Sequence, residues 1–370
     1  MLTPWYPDEA NPNAGIFIRD QARALSKEND VAVIAAKVDY SKSSFLSYKV
    51  KKSSTAGVSE YSISICKSLP FYNQINQLLI TCRQSWLIAK EFKPDIIHAS
   101  IGYPGAIWGW ILGKLLDKPY VFTEHTRITN NFRSVFHKEL TLFGMKRAMA
   151  TMAVGSTLAT EIRSFTLRKV IVVPNIVDVE KFDRAKRSSE IIPQIGFLGG
   201  LNTNVKGLDI LLKAMAGSGR EFVLHIGGRG SLLDEYKAMA LALGIDSKCR
   251  FYGFIDPSKL PEFMSRLHFF VCSSRYETFC VSLIEAMASG LPVVSTKCGG
   301  PEDFVNEGNG MMCERENPEA LRLTIERMTV ERTNYSESSL RNFAGHFSAS
   351  NVVTQLYKIY VDAITLLNPD

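Results

Sequence analysis

The chain has 370 residues, 46% of them hydrophobic and 22% charged, with a formal net charge of +6. This composition excludes a disordered or low-complexity polymer, and the length holds two domains of ordinary size. Seven cysteines (Cys66, Cys82, Cys249, Cys272, Cys280, Cys298 and Cys313) form no C-x-x-C and no zinc-finger spacing, which points to a reducing compartment rather than a disulfide framework.

The charge is unevenly spread. Residues 1–178 carry 22 Lys and Arg against 14 Asp and Glu, whereas the remainder carries 21 against 23. The basic half is therefore the part expected to meet an anionic membrane surface or an acidic acceptor. The first residues lack the charged and apolar regions of a signal peptide. The longest uncharged run, 96–113, contains His98, Pro104 and four glycines and reads as strand, loop and buried helix, not as a membrane span. The expected location is cytoplasmic, with peripheral contact at the inner face of the plasma membrane.

Along the chain, apolar runs at 31–36, 96–99, 120–123, 149–154 and 170–173 alternate with helical stretches starting near Ile16, Gln74, Gly105, Lys138 and Ser156. Such alternation predicts a parallel sheet covered by helices on both faces. Only three residues precede Pro4-Trp5-Tyr6-Pro7, so the first strand is short or trimmed. Residues 11–15 form a turn, and Gly15 opens a helix over 16–26 whose buried side is expected to hold Phe17, Ala22 and Leu25; a glycine there lets backbone N–H groups approach a phosphate. Residues 40–73 show little helical period and read as a long irregular region of the kind that usually serves a function. His125 follows the strand 120–123, at the end where open sheets bind ligands. The other five histidines read as structural.

A basic, Ser-rich stretch at 184–189 reads as a linker, giving domains at 1–183 and 184–348 and a terminal helical segment at 349–370. The second domain restarts at 194–198 and continues through Gly199-Gly200 to Lys206-Gly207 before a helix. A lysine is unfavourable at that dipole end unless an anion binds there. The cluster Gly227-Gly228-Arg229-Gly230 has no G-x-G-x-x-G pattern, which argues against a dinucleotide dehydrogenase. Backbone around Phe254 offers a base-binding position.

The most informative stretch is 272–300. A strand ends at Cys272, apolar residues then recur at helical spacing from Val281, and Gly290 stops the helix before a new strand. Glu277 lies in the loop and Glu285 in the helix. Eight residues at about 1.5 Å each separate them by on the order of 10 Å, wide for the carboxylate pair of a glycosidase. Between them the helix start offers N–H groups and a positive dipole end to a diphosphate, leaving the carboxylates for hydroxyl groups on either side.

The sequence Glu277-Thr278-Phe279-Cys280-Val281-Ser282-Leu283-Ile284-Glu285-Ala286-Met287-Ala288-Ser289-Gly290-Leu291-Pro292, followed by Gly299-Gly300-Pro301-Glu302, resembles the E-x7-E signature of family 4 retaining glycosyltransferases. Pro174-Asn175-Ile176-Val177-Asp178 and Lys206-Gly207 resemble further segments of that family. The resemblance implies the α/β GT-B fold: two Rossmann-like domains facing across a cleft, with the last helix returning to the first domain. It implies a nucleotide-sugar donor, UDP- or GDP-linked, no cofactor or metal, and a glycan or lipid-linked glycan acceptor of surface-polysaccharide synthesis. It also implies site roles. Lys206, Glu277 and His125 would act at the reacting sugar and leaving diphosphate. Gly15, Gly200, Arg229, Phe254, Arg275, Thr278, Phe279, Cys280, Val281 and Glu285 would line the donor. The family usually has Gly where this chain has Cys280, and many members have Arg near the position of Gly200. Those departures keep open the reading of an inactive nucleotide-sugar-binding scaffold, and a nucleotide-sugar epimerase on the same double-Rossmann plan would share the cleft. No Asp-x-Asp triplet occurs and nothing suggests a nucleic-acid partner.

Overall fold

A computed structural model describes the chain except residues 9–10, 12–13, 44–46, 68–69, 133, 183–187 and 368–370. Part of the turn before Gly15 and most of the expected linker at 184–189 thus lie outside the described residues. The chain forms two compact units: Met1–Ile176 with Ala349–Asp370, and Val177–Ser348.

The first unit is built on eight strands: β1 (Leu2–Thr3), β2 (Val31–Ser43), β3 (Tyr48–Thr55), β4 (Val58–Lys67), β5 (Ile97–Ser100), β6 (Tyr120–Glu124), β7 (Ala150–Ala153) and β8 (Val170–Val172). Their order is β3-β4-β2-β1-β5-β6-β7-β8. All neighbours are parallel except β3 and β4. Every residue of β5 and β6 is buried, as expected of central parallel strands covered on both faces.

The expectation of an irregular region at 40–73 is corrected. The described residues among them complete β2, form the β3–β4 hairpin and begin the helix Pro70–Phe92. Ala56 and Gly57, at φ 50° and 79°, make the two-residue connection with positive φ that matches the twist of a hairpin. The signal was weak because β3 is exposed at every residue, so Ser and Lys stand on both of its faces and no apolar alternation arises. Phe17 is a second correction: the helix Ile16–Leu25 buries Ile18, Gln21, Ala22, Ala24 and Leu25, while Phe17 is only half-buried.

The last helix, Ala349–Leu367, packs Val352, Leu356, Tyr360 and Ala363 against Leu25, Val121, Met152 and Val173. At about 1.5–3 kcal/mol per fully buried large apolar side chain, that face accounts for its place in the first unit. Tyr360 also brings its hydroxyl to within 2.6 Å of His98 Nδ1, and Thr123 Oγ1 lies 2.7 Å from Nε2.

The second unit contains β9 (Gln194–Leu198), β10 (Val223–Gly227), β11 (Cys249–Gly253), β12 (Phe269–Cys272), β13 (Val293–Thr296) and β14 (Gly310–Cys313), ordered β11-β10-β9-β12-β13-β14 and wholly parallel. This is the doubly wound Rossmann order, and its direction reverses between β9 and β12. The unit begins at Val177, earlier than the 183/184 boundary read from composition. Val177 N–H donates to Phe347 O at 2.9 Å, and Arg341 donates to Phe182 O at 2.8 Å, tying residues 177–182 to the second unit.

Candidate active site

In open α/β sheets ligands bind outside the carboxyl ends of strands where the order reverses. In the second unit that point is flanked by the loops after β9 and β12. The two loops are strapped together. Gly207 sits at φ +66°, and a Cβ there would fall 1.9 Å from Ser273 O. Ser273 Oγ donates to Gly207 O at 2.9 Å, and Arg275 N–H donates to Val205 O at 2.7 Å. Only glycine allows this approach, and the approach fixes where Lys206 emerges.

Lys206 Nζ lies 2.6 Å from Glu277 Oε1, which also accepts from Ser274 Oγ at 2.7 Å. Glu277 is held by its backbone as well, donating to Cys298 O at 2.8 Å and accepting from Gly300 N–H at 2.9 Å. Burial opposes the charge on Lys206, but the Glu277 carboxylate outweighs it and holds the ammonium protonated above the usual lysine range. Burial likewise pushes the Glu277 carboxyl upward, and Lys206 counters it. Eight residues on, Glu285 Oε1 receives Lys181 Nζ at 3.2 Å. Each Glu of the motif thus has a cationic partner.

Cys280 caps the helix Val281–Ala288 at φ 77° and ψ 69°. This is the left-handed conformation glycine adopts without strain. In the first turn Leu283 N–H donates to Cys280 O at 3.2 Å, while a helix start of this kind generally presents its leading amides and positive dipole end to an anion. Phe279 is buried, with its ring 5.7 Å from Phe304 and 5.5 Å from Phe347, and its backbone packs against Gly300, where a Cβ would fall 2.5 Å from Phe279 N. Arg229 stacks over Phe254 at 4.5 Å, and no heavy atom lies within 4 Å of a Cβ built on Gly200. Arg275 differs from expectation. Its guanidinium makes two bonds of 2.8 Å to Asp209, a third to Asn204 O at 2.6 Å and a fourth to Glu316 at 3.2 Å, so it braces the loops instead of reaching for a diphosphate.

In the first unit His125 follows β6, with Nδ1 3.0 Å from Asn175 Oδ1 and its ring stacked on Phe17 at 4.3 Å. Burial pulls its pKa down to about 4, against the Asn175 hydrogen bond, so the ring is neutral at pH 7. Next to it, buried Glu124 accepts from the N–H groups of Gly102, His125 and Thr126, from Thr126 Oγ1 and from Asn131 Nδ2. Burial pushes its carboxyl up to about 7 against those donors. Glu124 thereby fixes both flanking loops, including Ile101, a β-branched residue at φ 69°. Gly15, at φ +62°, has no room for a Cβ, which would lie 2.4 Å from Trp5 O.

Two family models cover most of the chain between them. One described as Glycosyltransferase Family 4 matches residues 14–181, and one described as Glycosyl transferases group 1 matches 178–341. The chain belongs to the family 4 glycosyltransferases. Among similar proteins is a lipopolysaccharide core biosynthesis glycosyltransferase, LpsE, of Rhizobium meliloti, 29% identical over 51% of this chain and 57% of that protein. An uncharacterized glycosyltransferase of Methanocaldococcus jannaschii is 27% identical over 46% of this chain and 45% of its own. The chain thus spans about half the length of these two curated relatives. A GDP-mannose-dependent alpha-mannosyltransferase of Corynebacterium glutamicum matches more broadly, 24% identical over 75% of this chain and 70% of that one. Among solved structures, a glycosyltransferase from Rickettsia africae has a TM-score of 0.76 at 17% identity, covering 100% of this chain and 98% of that one. Anabaena HepE in complex with UDP scores 0.75 at 18% identity, covering 98% of each chain. These likenesses show the GT-B fold.

In the structure the expected Lys206 and Glu277 are in direct contact, and Arg229 meets Phe254. Lys181, Glu124, Asn175 and Ser274 were given no site role from sequence, and Phe17 was expected only on the buried side of its helix. Glu302 was noted only as part of the motif; its carboxylate caps the amides of Cys298 and Gly299 at 2.9–3.2 Å. Lys181 and Asn175 act through contacts across 104 and 50 residues of chain, whereas Ser274, Glu302 and Glu124 bond groups within a few residues of themselves.

Proposed function

We propose that this glycosyltransferase transfers a hexosyl residue, with retention, from a UDP- or GDP-sugar to a hydroxyl of a lipid-linked glycan in surface-polysaccharide synthesis. The observation that carries the reading is the Lys206–Glu277 pair at the switch point between β9 and β12. As the glycosidic bond breaks, negative charge grows on the leaving diphosphate, and Lys206 with the amides from Val281 stabilises it without a required metal. Glu277 accepts from hydroxyls of the sugar and Glu285 from the nucleotide ribose. The departing phosphate takes the acceptor proton on the same face, so no protein base is assigned. His125, neutral and oriented by Asn175, serves as a hydrogen-bonding group toward the sugar.

The names of relatives support the donor and acceptor classes: LpsE is described as acting in lipopolysaccharide core synthesis, and HepE has been solved with UDP and with UDP-glucose. Peripheral membrane contact through the basic first unit is part of the same proposal. Lys49, Lys51 and Lys52 stand on the fully exposed edge strand β3, and no helix among the described residues is long and apolar enough to cross a membrane.

The test is a panel of nucleotide-sugars screened by thermal stabilisation, followed by kinetics of Lys206→Ala with the donor that binds. A ligand at 100 times its Kd raises stability by about 2.7 kcal/mol. The variant should lose turnover more than donor affinity, because the charge it opposes develops in the transition state. Equal losses would mean uniform binding and would refute the leaving-group role.

A further inference from the structure

All seven cysteines are free thiols, and the fold gathers three that are scattered in sequence. Cys272 ends β12, Cys280 caps the following helix and Cys298 lies just beyond β13. All three are buried. Cys280 Sγ lies 3.6 Å from Cys272 Sγ, and Cys272 Sγ lies 3.4 Å from Ser274 Oγ. Ser274 Oγ in turn contacts Glu277 Oε1. One ligand atom each from Cys272, Glu277 and Cys280 lies within 4.8 Å of the other two.

Tetrahedral zinc binds thiolates at about 2.3 Å and carboxylate oxygens at about 2.0–2.2 Å, so two bound sulfurs stand about 3.8 Å apart. The sulfurs here already have nearly that spacing. Simple packing does not explain the arrangement well. Cys280 occupies a left-handed backbone position where glycine would be free of strain, and its thiol is directed onto a second thiol beside a carboxylate.

We propose that Cys272, Cys280 and Glu277 form a site for one thiophilic divalent cation, zinc being the type case, whose binding excludes the donor sugar. Two thiols release their protons to solvent as two sulfur–metal bonds form. Glu277 exchanges the Lys206 ammonium for the metal, and the fourth position falls to Ser274 Oγ or a water molecule. No electron transfer is involved. The site is inhibitory, not catalytic: the cation takes the carboxylate assigned above to the sugar hydroxyls. That exclusion clause rests on the proposed role of Glu277, whereas cation binding does not.

The test uses the reduced full chain titrated with cadmium, whose thiolate complexes absorb in the ultraviolet, with zinc as competitor. One equivalent should bind, with the thiolate absorption saturating at one cadmium per chain. Cys280→Gly, which relaxes the backbone and should fold, should weaken binding by more than about a hundredfold, beyond the loss of an outer-shell partner. Cys272→Ser should do the same, and Cys66→Ser should bind like the parent. Unchanged affinity in Cys280→Gly would overturn the site. With one equivalent of zinc bound, calorimetry should show lost affinity for the nucleotide-sugar and retained affinity for free nucleoside diphosphate. Zinc binding that leaves nucleotide-sugar affinity untouched would overturn the exclusion while leaving the metal site standing.

Discussion

The contact between Lys206 and Glu277 makes a prediction that needs no substrate. Replacing Lys206 by Met leaves the Glu277 carboxylate, with a side chain only 11% exposed, supported by Ser274 alone. Removing one partner of a buried pair costs about 3–5 kcal/mol. The Lys206 side chain is 35% exposed, so solvent screening reduces that figure to about 2 kcal/mol. Glu277→Gln should cost less, because the released ammonium can turn to water. The double variant should then be little worse than Lys206→Met, giving a coupling of about 1–2 kcal/mol. All four tryptophans, Trp5, Trp86, Trp108 and Trp110, lie in the first unit, so the second carries no tryptophan reporter of its own. Hydrogen exchange of β9 and β12 amides, read by mass spectrometry, reports on the right region. Additive losses, with a coupling near zero, would refute a pair that holds these loops together.

Three further outcomes follow from the geometry. Glu285→Ala should weaken free nucleoside diphosphate binding by about 1.5–3 kcal/mol, the worth of a charged hydrogen bond, in a calorimetric titration; unchanged affinity would remove Glu285 from the ribose site. Burial depresses His98, His125 and His225 to about 3, 4 and 4, so each contributes stability that is complete above the unfolded value near 6.5 and is lost as pH falls toward the folded value. Glu124, raised to about 7, works in the opposite sense between about 4.5 and 7, and the three histidines outweigh it. Denaturant melts should therefore show stability falling from pH 6.5 to 4, and His98→Asn should flatten that slope; an unaltered slope would exclude His98 as a source. The full chain should sediment with anionic vesicles at 0.1 M salt and release at 1 M, as the Debye length falls from about 10 Å to about 3 Å. Replacing Lys49, Lys51 and Lys52 with Glu should abolish the binding, and binding indifferent to lipid charge would refute the electrostatic account.

The fold was legible where local pattern decides structure. Buried runs such as 120–123 and the Cys272-to-Gly290 stretch, with its strand, loop and capped helix, carry their signals in periodicity and punctuation. The hairpin of β3 and β4 was not legible, because β3 buries nothing and its register is fixed by pairing with β4. The site divides in the same way. Glu277, Glu285 and Lys206 stand in recognisable segments, so their positions could be read. Their partners could not: Lys181 meets Glu285 across 104 residues of chain, and Asn175 meets His125 across 50. Arg275 shows the opposite error, since a cation near a diphosphate-binding loop was assigned to the ligand while Asp209, also unremarkable in sequence, already holds it.

The placement of Arg275 bears on how Lys206 can act. An ammonium at the end of four methylene groups is a poor positioning device, and holding it still costs rotamer entropy. Here the backbone carries out most of the positioning. Gly207 bends the chain at a left-handed angle against Ser273, Ser273 Oγ accepts that geometry by donating to Gly207 O, and Arg275 closes the other side through Asp209, Asn204 and Val205. Lys206 leaves a segment pinned on both sides and has Glu277 beside it. The same carboxylate that holds donor hydroxyls in the proposed reaction thus also aims the cation that meets the leaving group. One consequence separates this design from two independent side chains: Gly207→Ala removes neither charge, yet by forcing the loops after β9 and β12 apart it should lower turnover as Lys206→Ala does, and a Gly207→Ala enzyme with normal turnover would show that the loop contact is dispensable.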